Sequence, residues 1–66
     1  MRIMADLVPL EAQIACAERE LKYRLRVYDR WCTEGRMDRA KAAHELSAMR
    51  AIVTTLQQVA RGERLL

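Results

Sequence analysis

Arg30-Trp-Cys-Thr-Glu-Gly-Arg-Met-Asp38 decides the fold. Within it, Gly35-Arg36-Met37 separates two long apolar-striped segments, Asp6 to Glu34 and Asp38 to Arg61. Gly35 suits the left-handed residue that follows a helix C-terminus, because it has no Cβ to clash. Asp38 suits the N-cap of a second helix, where its carboxylate can accept an orphan backbone N–H. Three residues between two helices leave no room for a wide excursion, so the chain must reverse on itself. The expected fold is all-α: a two-helix antiparallel hairpin with helix 1 over about 7–34, a turn at 35–37 and helix 2 over about 39–61.

Working outward, Asp6 is the expected cap of the first helix, with Pro9 in its first turn and Glu11 near the positive end of the dipole. The apolar stripe of helix 1 runs Leu10, Ile14, Ala17, Leu21, Leu25, Tyr28, Cys32. Its steps of four and three lie nearer a 3.6-residue period than a strict heptad, which favours nearly straight bundle helices. Helix 2 carries Ala42, Leu46, Met49, Val53, Leu56 and Ala60, widened by Ile52 and Val59. Arg61 suits the negative end of that helix, and Gly62 repeats the C-terminal glycine signal. Residues 63–66 read as a frayed tail. With reversal at Gly35, residues equidistant from it should face one another. Tyr28 and Leu25 then meet Ala43 and Leu46, Leu21 meets Met49 and Val53, and Ile14 meets Leu56. Met37 is placed to pack back on this seam.

A 66-residue chain is one domain at most, 1–66. Chains this short usually need a disulfide, a metal or oligomerisation to complete a core. Cys16 and Cys32 lie on one helix with about 24 Å of axial rise between them. A bridge needs Cα atoms within about 7 Å, so no intrachain disulfide is possible. Two unmated thiols point to a reducing compartment. A single His, with no CxxC, argues against a metal site. Oligomerisation is the remaining remedy. A second, weaker stripe of Ala12, Cys16, Tyr23 and Val27 gives helix 1 two apolar faces, so it is the expected interface of a homodimer forming a four-helix bundle.

The formal charge is only +3, but basic residues gather around the turn and acidic ones toward the N-terminus. Met1 to Leu10 is broken by Asp6 and Pro9 and lacks the apolar core of a targeting segment. No run approaches the ~18 apolar residues of a membrane span. A cytoplasmic protein is expected, with no membrane partner, and Met4 is as good a start as Met1.

His44 and Cys32 are the candidates for chemistry. Nothing in the sequence supplies an oxyanion site or a pocket for them, so His44 reads as a surface or interface residue. Cys16 and Cys32 read as small buried apolar groups. No catalytic residue, cofactor or metal ligand is assigned, and no enzymatic activity is expected. The strongest candidate for function is the cluster Arg24, Val27, Tyr28, Arg30 and Trp31, with Arg36 and Arg39 around the turn. Within it, Tyr28, Arg30, Trp31, Arg36 and Arg39 are the five candidate binding residues, because Trp, Tyr and Arg dominate binding hot spots. Against this stands the plainer reading that Tyr28 and Trp31 merely close the turn end of the core. Lys22, Arg26, Arg30, Arg36, Arg39 and Lys41 could instead track phosphates, with Trp31 stacking on a base. Interleaved acidic residues weaken that alternative, and the hairpin is not the angled reading unit of a repressor. A small ligand held between the helices of a dimer is a third class.

Several segments carry a resemblance: Glu11-Ala-Gln-Ile-Ala-Cys-Ala-Glu-Arg-Glu-Leu21, Arg26-Val-Tyr-Asp-Arg-Trp31, Gly35-Arg-Met37, Lys41-Ala-Ala-His-Glu-Leu46 and Met49-Arg-Ala-Ile-Val-Thr-Thr-Leu56. Together they resemble a family of short helical proteins encoded by phages and prophages of proteobacteria, over roughly residues 11 to 56. The chain departs from that pattern at Asp29, where Pro is common, and at Asp38, where Thr is common. The resemblance implies an accessory phage protein acting in host cytoplasm; the leading expectation beside it is a non-enzymatic protein that docks on a host or phage protein and modulates it. It carries over no functional residues.

Overall fold

The computed structural model describes residues 7–62. The expectations for Asp6, Met4 and residues 63–66 lie outside that range. Two helices form, α1 (Leu10–Thr33) and α2 (Arg39–Ala60), and no strand is present among the described residues. The two pack against each other as an antiparallel hairpin.

The turn forms as the sequence implies. Gly35 has φ +77°. Its N–H donates to the Cys32 carbonyl at 3.1 Å, and the Arg36 N–H donates to the Trp31 carbonyl at 2.8 Å. This pair of bonds is a Schellman motif, which satisfies two carbonyls that the helix end would otherwise strand. Asp38 then caps α2, its Oδ2 accepting from the Lys41 N–H at 3.1 Å. Gly62 at φ +75° closes α2 in the same left-handed conformation, after Arg61 as C-cap.

The start of α1 departs from expectation. The helix begins at Leu10, and Pro9 is its N-cap, with φ −54° and ψ 145°. Pro9 therefore precedes the first turn instead of lying within it. A residue before proline is pushed out of the α region, so Val8 cannot extend the helix backward. With no capping side chain at Pro9, the Gln13 Nε2 donates to the Val8 carbonyl at 2.8 Å and ties the entering strand of chain to the first turn.

The core is small. Among the described residues five side chains are buried: Ala17, Val27, Ala42, Met49 and Val53. Leu21 and Leu56 pack against the cluster of Ala17, Met49 and Val53, as the expected pairing of Leu21 with Met49 and Val53 requires. Two apolar residues changed places relative to the expected stripes. Leu25, expected in the seam, is 40% exposed, whereas Val27, expected at the dimer interface, is 2% exposed. The cause is geometric: Ala17, Leu21 and Leu25 step by fours, and each step advances the stripe by about 40° around the helix. By residue 25 the stripe has rotated off the contact, and the seam continues through Arg24, Val27, Tyr28 and Trp31. Val27 is therefore core of the single hairpin and unavailable to a second copy. Cys16, expected to be buried, is exposed, while Cys32 is half-buried. Both thiols are free.

Candidate binding surface at the turn

The Schellman turn brings three of the five candidate residues together. Tyr28 and Trp31 are one helical turn apart and stack with ring centroids 5.9 Å apart and an interplanar angle of 30°. The Arg36 guanidinium carbon lies 5.4 Å from the centroid of the Trp31 ring. Its Nη1 also approaches Glu34 Oε1 at 3.3 Å. Both aromatics are half-buried and Arg36 is exposed, so the cluster closes the core and still presents surface. Such ring pairs and cation–π contacts add about 0.5–1.5 and 0.5–1 kcal/mol respectively. That is enough to hold the surface in one arrangement.

Arg39 is placed differently. It sits on one flank of the hairpin, where Nη1 lies 3.5 Å from Asp29 Oδ1 and Nη2 donates to Thr33 Oγ1 at 3.3 Å. Asp29 and Arg39 border an open groove with Leu25, Cys32, Ala43 and Leu46, which Tyr28 also lines. The pairs expected across the seam, Leu25 with Leu46 and Tyr28 with Ala43, therefore meet at this groove and not in a closed core. Arg30 is exposed and forms no ion pair among the described residues.

Arg24 belongs to the expected turn-end cluster but to neither apolar stripe. It lies on the seam with its side chain 27% exposed. Its Nε donates to Glu20 Oε2 at 2.8 Å, and its Nη1 reaches Glu45 Oε1 on α2 at 3.9 Å. The hydrogen bond to Glu20 raises its pKa above the ordinary arginine value. The signal was available: Arg24 is four residues after Glu20 and three before Val27, which places it between an acid and the core. A second polar link, from Gln57 Nε2 to Glu18 Oε2 at 3.1 Å, joins the helices nearer their open end.

His44 is exposed. No group of three His, Cys, Asp or Glu side chains suited to a metal occurs among the described residues. Among the described residues no helix is long and apolar enough to cross a membrane. Searches against family models, curated proteins and solved structures gave no match.

Proposed function

We propose that this is a non-enzymatic accessory protein of phage type, which docks on a host or phage protein and modulates it in the host cytoplasm, for instance in counter-defence. The carrying observation is the Tyr28–Trp31–Arg36 stack. It combines the residue types that anchor protein interfaces, holds them rigid, and leaves them half in solvent. Arg30 and Arg39 are exposed charges outside the stack. The decisive experiment is capture from infected-cell lysate with wild type and Trp31→Ala side by side. Loss of one specific partner, with helical circular dichroism retained, supports the reading; unchanged capture refutes it.

The same reading takes the working form as a homodimer, two hairpins making a four-helix bundle. Its support is the size of the core: five buried side chains, none of them polar, among the described residues. Half-exposed apolar residues remain on both flanks. Chains below about 70 residues rarely fold on so little burial.

One observation favours nucleic acid as the alternative partner. Lys22, Arg26 and Arg30 recur every four residues along the exposed side of α1, and none forms an ion pair among the described residues. Arg26 lies over the Tyr23 ring at 5.7 Å. Binding through this ridge would weaken steeply with added salt. Arg36 and Arg39, by contrast, are already engaged by Glu34 and Asp29.

A further inference from the structure

We propose that two copies pair through the flank bearing Cys16 and Ile52, turn beside turn, so that α1 of each lies on α2 of the other. This rests on the dimer reading above and names its face and its orientation.

The face follows from helical phase. On α2, Ile52 and Val59 stand about 100° and 120° round from the core residue Val53, on the side of Leu56 and away from Leu46. On α1, Cys16, Tyr23 and Ala12 stand about 100–140° round from the core residue Ala17, away from Leu25. In an antiparallel pair these two senses fall on the same flank. Leu7 and Val8 join it, lining a groove with Ala12, Cys16 and Leu56. Of the six large apolar side chains left exposed among the described residues, Leu7, Val8, Tyr23, Ile52 and Val59 lie on this flank, and only Leu25 lies on the other. Val27 drops out of the interface first expected, because the hairpin itself buries it.

Two features identify the occupant as a second copy. The first is area. At roughly 100 Å² for each half-exposed large side chain, the patch offers about 500 Å² per copy. Two copies bury about 1000 Å² before the smaller neighbours are counted, which is the threshold for a specific interface. The second is self-complementarity. Around Ala12 and Cys16 the α1 side is small and stands level with Ile52, Leu56 and Val59 on α2; at Tyr23 the sizes reverse, and the exposed Ala48 stands level with it on the same flank of α2. A two-fold axis parallel to the helices keeps these levels and sets the large residues of each copy on the small ones of the other. An axis across the helices would set α2 on α2, with Ile52 against Val59. Either axis leaves every neighbouring helix pair antiparallel, so size complementarity and not the helix dipole decides between them. The carboxylate lining the groove, Glu20, is held by Arg24 at 2.8 Å and so does not oppose a bare copy of itself.

The test places a nitroxide at Thr33→Cys, an exposed site beside the turn, in a chain with Cys16→Ala and Cys32→Ala. The proposed pairing puts both labels at one end of the bundle, roughly 20–30 Å apart for helices packed at 8–10 Å. A pairing with turns at opposite ends puts them about 50 Å apart, since Thr33 lies about 25 Å along α1 from Cys16. A short distance supports the proposal and the long one overturns it while leaving the dimer standing. Absence of any dipolar signal, with a monomer mass by sedimentation, removes the dimer as well. The face is tested separately: Ile52→Glu should weaken association at least tenfold, and Leu25→Glu on the opposite flank should not. Both sites are exposed in the hairpin, so neither change disrupts its own seam, and since folding is coupled to pairing the association is read from how the melting temperature depends on concentration. Equal effects of the two variants would contradict the chosen face.

Discussion

Arg36 is tied to Trp31 twice, by its backbone and by its side chain. Its N–H donates to the Trp31 carbonyl at 2.8 Å, and its guanidinium covers the Trp31 ring at 5.4 Å. The first contact shapes the turn, and the second fixes what the turn displays. Separating them separates folding from binding. Arg36→Ala keeps the backbone bond and loses only the cation–π contact. It should cost no more than about 1 kcal/mol in urea unfolding, yet sharply reduce partner capture. A stability loss of several kcal/mol would show that Arg36 serves the fold and not the surface.

Gly35 should tolerate no ordinary side chain. At φ +77° nothing lies within 4 Å of a Cβ added there, so the penalty is purely one of backbone conformation. Gly35→Ala should destabilise by about 1–2 kcal/mol, and Gly35→Asn by less, because Asn visits the left-handed region more readily. Equal losses for the two variants, measured by denaturant unfolding, would point to a steric cause that the geometry does not contain.

Asp38 should matter for its oxygen alone. The bond it accepts from the Lys41 N–H is exposed. Asp38→Ala should cost about 1 kcal/mol, and Asp38→Ser or Asp38→Thr should recover most of it, as expected of N-caps. Thermal melts of the three variants at one protein concentration check this directly.

Arg24 should contribute more through its stem than through its charge. Its ion pairs are partly exposed and therefore weak, but its methylenes cover the seam. Arg24→Met should be close to neutral in stability, whereas Arg24→Ala should cost about 1 kcal/mol or more. If raising the salt concentration destabilises wild type as much as the Ala substitution does, the ion pairs dominate and this assignment is wrong.

The hairpin was legible in the sequence because glycine, aspartate and apolar period all mark the same reversal at residues 34–38. Three independent local signals agreed there, each with its own chemistry. Leu25 and Val27 were not legible, since a stripe read as a list of positions ignores how its phase drifts along the helix. Leu25 continues a run of four-residue steps and so rotates out; Val27 sits on the weaker stripe yet rotates in. The aromatic stack of Tyr28 on Trp31 was readable from i, i+3 spacing. The placement of Arg36 over Trp31 was not, because it depends on the six-residue bond of the Schellman turn and not on helical spacing. Pro9 was expected inside the first turn and instead caps it, for a local reason: the constraint it imposes acts on Val8, the residue before it.

The central claim is that a hairpin with five buried side chains reaches its stable form by pairing with a second copy. Sedimentation equilibrium and thermal melting across a range of micromolar concentrations test it most directly. The account predicts a mass of two chains and a melting temperature that rises with concentration, as mass action requires of a folded dimer. A cooperatively melting species of one chain's mass, with a melting temperature independent of concentration, would contradict it.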